Sequence, residues 1–189
     1  QSWPELIFAM HHCPQTEGQS VLEHGFSVNQ YFRDIIGPSL FPWKLPDYFD
    51  FYRELLVATL YPLDVVDRYT TYHDCGKPYC IVSDELGNHF PNHAKISQET
   101  YQALTGDATV SNLIGWDMVL HTCTAKELEE YLNIWTPQDA ATLLLVAFSE
   151  LHSNASMFGG IESLSFKIKY KRLKKRGKQL CKHLYGEIK

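Results

Sequence analysis

The chain has 189 residues, a hydrophobic content of 44% and a net charge of −5 at pH 7, which suits one domain able to bury a core. No run approaches the roughly 18 apolar residues of a membrane span, and no signal peptide is visible, so we expect no membrane partner. Five scattered cysteines argue against a disulfide framework and predict a reducing, cytoplasmic setting. The chain begins with Gln1 rather than Met, which is compatible with a fragment of a larger polypeptide.

Two helices are predicted in the N-terminal part of the chain. The first covers Trp3–His12, and residues 13–18 after it are predicted to form a loop. Ser20 and Glu23 make a capping-box pattern. This pattern predicts a second helix, which runs to about Ile36 before Gly and Pro stop it.

The rest of the chain is also expected to be mostly helical. Residues 37–47 hold three prolines among aromatic residues and should be irregular. A small β-hairpin is predicted near residues 80–91, because short apolar pairs flank a polar segment. Further helices are predicted at about 49–60, 63–73, 94–104, 108–121, 124–133, 137–153 and 161–184. The pattern predicts an all-α protein in which 1–189 form a single domain.

The stretch Tyr72–Pro78 carries the most specific chemical signal. His73 and Asp74 are neighbours at the end of a predicted helix, and a Gly-Lys-Pro turn follows them. Adjacent residues within a helix point about 100° apart, but at a frayed helix end both can face one metal ion. Imidazole nitrogen and carboxylate oxygen both suit a hydrated divalent cation. By itself, the pair is better explained as ordinary polar residues at a helix end that terminates in glycine.

Two further residues fit a metal site of this kind. Asp117 lies in a strongly apolar segment, where a carboxylate must be paired, bound to a metal or placed at the helix surface. His24 lies among the apolar positions of the second predicted helix, one turn before Val28. Taken alone, Asp117 would be a surface residue and His24 a packed or half-exposed histidine.

Taken together, these residues resemble the HD superfamily of metal-dependent phosphohydrolases. The signature of that family is a His on one helix, a His-Asp pair that ends another, and a distant Asp on a third. The segment Val21–Val28 around His24 resembles the first motif, and His73-Asp74-Cys75-Gly76-Lys77-Pro78 resembles the second. Asp117 corresponds to the distant Asp.

Two further segments extend the resemblance, which covers about residues 14–121. The segment between Asp84 and Ser97 is similar to HD domains of bacterial tRNA nucleotidyltransferases. The loop with Gln15 loosely resembles a substrate-facing loop in RNA-end-healing HD proteins, and it fits equally well as a plain polar loop.

The resemblance implies a compact HD-type helical fold that holds one divalent cation. The implied ligands are His24, His73, Asp74 and Asp117. A mixed nitrogen and oxygen donor set admits Mn, Mg, Fe, Ni, Co or Zn, so the sequence leaves the metal open. Asp74 is the implied catalytic residue, since it would hold both the metal and its water. Lys77 would lie near the substrate phosphate, or would otherwise be a solvated turn lysine.

By resemblance, His93 corresponds to an additional histidine that has two roles among HD enzymes. It can lie near the substrate and protonate the leaving oxygen, or it can bind a second metal. The second role usually needs two more histidines, for which His89 and His121 are available. We favour one tightly bound metal, with His93 as a catalytic residue near the substrate.

The basic residues are concentrated at the C-terminus. Residues 167–189 carry ten of the seventeen Lys and Arg and one acid, so their net charge is +9 against −14 for the rest of the chain. The last predicted helix could therefore bind phosphate groups of a nucleic acid, or could simply present a solvated face. The candidate phosphate-binding residues are Lys171, Lys174, Lys175 and Lys178, with Arg172 and Arg176 beside them.

The sequence thus predicts a metal-dependent phosphohydrolase that acts on a nucleotide or an RNA-terminal phosphate, with a 2′,3′-cyclic phosphodiester as one candidate substrate. One alternative is a nucleoside mono- or triphosphate hydrolase, which would share the site and differ in its pocket. Another is a nucleic-acid-binding module with a non-catalytic metal site. The presence of all four implied ligands favours an enzyme.

Overall fold

The structure is a computed structural model that describes residues 1–38 and 43–188. Its α-helices in chain order are α1 (Trp3–His12), α2 (Val21–Ile36), α3 (Phe49–Thr59), α4 (Leu63–Tyr72), α5 (His93–Thr105), α6 (Ala108–Trp116), α7 (Val119–Thr122), α8 (Ala125–Leu132), α9 (Pro137–Ser153) and α10 (Leu164–Tyr185). Short 3₁₀ turns cover Lys77–Tyr79 and Ala155–Phe158. Strands β1 (Pro14–Thr16) and β2 (Gln19–Ser20) form one antiparallel pair, and β3 (Val82–Asp84) and β4 (Gly87–His89) form another.

The all-α prediction and the predicted hairpin near residues 80–91 are confirmed. The predicted cap of α2 also forms, because Ser20 and Glu23 exchange hydrogen bonds of 2.7 and 3.2 Å. In the structure, Thr136 and Asp139 make a second capping box at the start of α9. The irregular loop expected at 37–47 falls partly on residues 39–42, which lie outside the described residues. The part of that segment that the structure describes contains neither helix nor strand, as expected.

Two predictions about local structure are wrong. The segment expected as a loop at 13–18 contributes most of the β1–β2 hairpin, which closes through a turn with Gly18 at φ +76°. The helix expected at 108–121 breaks instead between α6 and α7. Asp117 ends α6, and its amide donates to the carbonyl of Ile114 in a tightened last turn. Because of the break, Asp117 lies at the C-terminal end of α6 and not in the middle of one long helix.

The described residues divide into two compact units. The first joins Gln1–Asn29 with Asp64–Asp117, and the second joins Gln30–Leu63 with the residues from Met118 onward. All four implied metal ligands belong to the first unit, whereas the basic helix belongs to the second. That the whole chain acts as one domain stays a prediction.

Aromatic packing and a close backbone approach define the first unit. Trp3, Tyr72 and Tyr101 form a triangle of rings whose centroids lie 5.0 to 6.0 Å apart, which joins α1, α4 and α5. A Cβ atom at Gly25 would lie 2.3 Å from the carbonyl oxygen of Thr71, so α2 and α4 touch at a point where only glycine fits. This contact sets the distance between the helices that carry His24 and His73.

The second unit is built around α9, whose side chains are buried from Asp139 to His152. The rings of Phe49 on α3 and Phe148 on α9 meet edge to face with centroids 5.2 Å apart, and Tyr170 on α10 lies 6.3 Å from Phe148. A helix that is apolar nearly all round must be covered on several sides, and α3 and α10 provide this cover. No described helix has the length and apolarity needed to cross a bilayer.

Candidate metal centre

The His73-Asp74 pair lies in the turn that ends α4, and both side chains are buried, with 1% exposed. The turn is fixed by backbone bonds from Cys75 to Tyr72 and from Lys77 to Asp74. The turn therefore holds the side chains of His73 and Asp74 in fixed positions at the end of α4.

Ser97 on α5 fastens this turn from the other side. The amide of Gly76 donates to the Ser97 hydroxyl at 2.8 Å, and the Cys75 thiol donates to the Ser97 carbonyl at 3.4 Å. A Cβ atom at Gly76 would lie 2.3 Å from the Ser97 amide nitrogen, so the turn packs directly on the backbone of α5. Gly76 and Ser97, both part of the resemblance, thus have a physical role, which is to hold the turn that carries His73 and Asp74 in place.

Three of the four implied ligands meet around one carboxylate oxygen. Oδ2 of Asp74 lies 3.3 Å from Nε2 of His73 and 3.7 Å from Nε2 of His24, and the two imidazole rings lie 5.2 Å apart. Ligands bound at about 2.0–2.2 Å to one ion lie roughly 3.0–3.5 Å from each other. The observed separations are therefore close to those of ligands around a single metal ion.

The tautomer of His73 is set by its helix. Nδ1 of His73 lies 2.7 Å from the carbonyl oxygen of Thr70, and because a carbonyl can only accept, Nδ1 carries the hydrogen. In the neutral ring, Nε2 then directs its lone pair toward the anionic Oδ2 of Asp74. Two acceptors that face each other repel unless a proton or a metal ion lies between them. A hydrogen bond from the far ring nitrogen to a carbonyl is also the usual way in which metal-binding histidines are oriented.

The residues of the site thus fit a divalent cation. Ring nitrogens of His24 and His73 lie within 4.8 Å of each other, which is close enough for both to bind one ion together with Asp74. The donors so assembled are two imidazole nitrogens and a carboxylate, which suit borderline and hard divalent metals. The structure supports a metal site at this place, while the identity of the metal stays open.

Lys77 lies inside the site, where it contacts Asp74 directly. Its Nζ lies 2.7 Å from Oδ2 of Asp74, donates to Oε1 of Gln15 at 2.8 Å, and sits 5.0 Å from the centroid of the Phe90 ring. Only 6% of Lys77 is exposed, so the alternative of a solvated turn lysine is excluded. Gln15 reaches the site because the β1–β2 hairpin, which the sequence did not predict, carries it there.

The electrostatics of the site keep Asp74 ionised. Burial by itself would raise the pKa of the Asp74 carboxyl, but the Lys77 ammonium, followed by the imidazoles of His73 and His24, holds that pKa well below its usual range. The carboxylate is therefore an anion at neutral pH, which is the form needed to bind a cation or to accept a proton.

His93 faces the second oxygen of the same carboxylate. Its Nε2 lies 3.7 Å from Oδ1 of Asp74, and its Nδ1 donates to the carbonyl of Phe90 at 3.1 Å. The ring is 23% exposed, so it stands at the opening of the site and not in its interior. The preceding Asn92 has φ +56°, a left-handed conformation that Asn adopts more readily than most residues, and it turns the chain so that His93 begins α5.

Asp117 is buried and reaches the site through a tyrosine. The hydroxyl of Tyr69 donates a hydrogen bond to Oδ1 of Asp117, and Tyr69 lies in the last turn of α4, four residues before His73. The structure thus brings His24, His73 and Asp74 together directly, and it brings Asp117 to Tyr69. Convergence of all four residues on one ion stays a prediction.

The other candidate residues lie elsewhere in the chain. Lys171, Lys174, Lys175 and Lys178 are exposed on α10, in the second unit. His89 pairs with Asp84 across the β3–β4 hairpin at 2.9 Å, and His121 lies 3.5 Å from Glu150 within the second unit. The phosphate-binding role of the lysines and the second-metal role of His89 and His121 stay predictions.

Sequence reasoning missed the supporting residues of the site. Tyr69 and Thr70 precede His73 by four and three positions, so helical spacing alone would have placed them beside it. Nothing local connects Lys77 with Gln15, which lies 62 residues away, or Gly76 with Ser97. Comparisons with protein-family models, curated proteins and solved structures found no match to this chain. The functional argument therefore depends on the geometry of the site and on its sequence motifs.

Proposed function

We propose that this protein is an HD-type metal-dependent phosphohydrolase acting on a nucleotide or an RNA-terminal phosphate, with a 2′,3′-cyclic phosphodiester as one candidate substrate. The observation that carries the proposal is the buried carboxylate of Asp74, which lies within 3.7 Å of ring nitrogens of His24 and His73 and 2.7 Å from the Lys77 ammonium. Burying an anion with two imidazoles and an ammonium around it costs desolvation free energy. Such clusters of ionisable groups with shifted pKa values are typical of functional sites.

The proposed reaction is attack of water on phosphorus. His24, His73, Asp74 and Asp117 would hold the metal, and the metal when bound would lower the pKa of a coordinated water and neutralise phosphate charge. Asp74 is ionised, so its carboxylate can orient the attacking water and accept a proton from it.

The other two residues would act on the substrate. An ammonium carries three N–H groups, and Lys77 uses two of them toward Asp74 and Gln15, so the third can donate to a phosphate oxygen. His93 stands at the opening of the site, and in its protonated form its Nε2 can give a proton to the leaving oxygen when the P–O bond breaks.

The test begins with a substrate screen. The metal-loaded protein is assayed against nucleoside mono- and triphosphates, 2′,3′-cyclic phosphates and RNA ends. Hydrolysis of the cyclic or RNA-terminal substrates supports the proposal as stated. Preference for free nucleotides supports the nucleoside phosphate hydrolase instead. Tight RNA binding without hydrolysis of any substrate would favour the binding module, for which the exposed lysines on α10 are the supporting observation.

The decisive variant is Asp74→Asn, which keeps the shape of the side chain and removes its charge. We expect hydrolysis to fall to the background rate, because the metal and its water both lose their anchor. The matched control is Asp64→Asn, since Asp64 is exposed in the first turn of α4 and pairs with Arg68 at 3.5 Å. A folded, metal-loaded Asp74→Asn protein that works at the parent rate would refute the assignment.

A further inference from the structure

The second unit contains a cleft that the proposed metal chemistry does not use. Its volume is about 250 Å³, and it is lined by residues of α7, α9 and α10 and of the 3₁₀ turn after α9. Ligand pockets usually measure roughly 300–1,000 Å³, so this cleft suits a small molecule. Its lining is partly apolar, through Leu151, Phe158 and Ile168, and partly charged.

Two cations stand on the α10 side of the cleft. Lys169 and Arg172 are three residues apart on α10, so their side chains leave the helix on the same face. Nη1 of Arg172 donates to the carbonyl of His121 at 3.4 Å, and Nζ of Lys169 lies 4.8 Å from the centroid of the Phe158 ring. Both side chains are thereby tethered to the cleft, while most of the donors of Arg172 stay available to a ligand.

The interior of the cleft carries a hydrogen-bond acceptor, in contrast to the two cations on α10. Glu150 lines it and is only 8% exposed, and its Oε2 lies 3.5 Å from Nε2 of His121. A carboxylate only accepts hydrogen bonds, so a ligand group that meets Glu150 must be a donor such as a hydroxyl. Asn154 also lines the cleft and can both donate and accept. A fitting ligand therefore has an anionic end and a hydroxylated body.

We infer that this cleft binds a small phosphate monoester with a hydroxylated body, of the size of a pentose phosphate. The phosphate would lie between Arg172 and Lys169, and the hydroxyls would point toward Glu150 and Asn154. A phosphate dianion suits two cations better than a carboxylate does, because it has twice the charge and three oxygens to share between them. The ligand would be held by residues of the second unit, whereas the four proposed metal ligands belong to the first.

Isothermal titration with ribose 5-phosphate tests the inference, with ribose and inorganic phosphate as comparison ligands. We expect ribose 5-phosphate to bind more tightly than either. Arg172→Gln and Lys169→Gln should each weaken binding about tenfold or more, the usual effect of losing a hydrogen bond to a charged group. The matched control is Lys182→Gln, which removes the same charge from the last turn of α10, where Lys182 pairs with Glu187 at 3.0 Å.

Four results would overturn the inference. One is the absence of ribose 5-phosphate binding at about 10 mM, well above the weakest affinities that such contacts support. Another is an equal loss of affinity in Lys182→Gln, which would show a general effect of charge. A third is binding no tighter than that of inorganic phosphate, which would remove the role of Glu150. The last is loss of binding in Asp74→Ala, which would place the phosphate at the metal centre. Retention of binding in Asp74→Ala is the expected result, because the cleft residues are unchanged in that variant. It would also show that the protein binds ribose 5-phosphate without hydrolysing it.

Discussion

Lys77 and Asp74 form an ion pair of 2.7 Å in which both side chains are almost fully buried. A buried ion pair adds little stability by itself, but removal of one partner leaves an uncompensated charge in a medium of low polarity. The pair therefore couples the ionisation of Asp74, which the proposed chemistry needs, to the folded state of the turn that ends α4.

The first prediction follows from this coupling. Lys77→Met should lower the free energy of unfolding by about 3–5 kcal/mol, because it leaves the Asp74 carboxylate buried without its ammonium. Hydrolysis should fall by about 10²–10³, the usual effect of removing one electrostatic donor. Urea denaturation and a rate assay measure the two effects.

Two variants complete that experiment. Lys95→Met removes an exposed lysine that pairs with Glu99 at 3.9 Å, and its stability should match that of the parent. The double variant Lys77→Met with Asp74→Asn should be less destabilised than the sum of the single changes, since both charges are then absent. Additive effects would show that the ion pair does not couple the two residues.

The second prediction concerns the contact between α2 and α4. Gly25→Ala places a Cβ atom 2.3 Å from the Thr71 carbonyl, so the helices must separate and His24 must move away from His73. We expect the free energy of unfolding to fall by about 1–3 kcal/mol. We also expect a lower metal content after purification, measured by inductively coupled plasma mass spectrometry. Gln30→Ala on the exposed side of α2 is the control. Normal metal content in a folded Gly25→Ala protein would argue against His24 as a ligand.

The third prediction separates a metal ligand from its support. If Asp117 binds the metal, Asp117→Asn should reduce metal affinity more than Tyr69→Phe, which removes only the hydroxyl that donates to Asp117. Changes to such supporting partners typically cost about 10–100-fold in affinity. Competition with a metal-sensitive dye gives both affinities. A larger effect from Tyr69→Phe than from Asp117→Asn would contradict the ligand role of Asp117.

The fourth prediction addresses the basic helix. Replacement of Lys171, Lys174, Lys175 and Lys178 by Gln should weaken RNA binding, because each lysine that contacts a phosphate releases a counterion. The slope of log K against log salt should flatten by about 0.7 for each contact that is lost. Hydrolysis of small substrates should be retained. An unchanged affinity and slope would assign these exposed lysines to a solvated face.

Short-range sequence features determined the fold class and most element boundaries. The capping box at Ser20 gave the start of α2, and the dipeptide Thr136-Pro137 marks the start of α9, which agrees with the predicted helix at 137–153. The polar segment between short apolar pairs gave the β3–β4 hairpin. These features act over three or four residues, so they can be recognised without knowledge of the rest of the chain. The His-Asp motif likewise indicated the helix end at which a metal site should be sought.

Only the tertiary structure decided how the site is built. The pairing of Lys77 with Gln15, the fastening of Gly76 by Ser97, and the approach of Gly25 to Thr71 join residues that lie 21 to 62 positions apart. The sequence suggested a solvated or phosphate-facing Lys77, whereas the fold buries it against Asp74. Such contacts depend on how helices pack, and packing depends on the summed shape of many side chains, which local patterns do not contain.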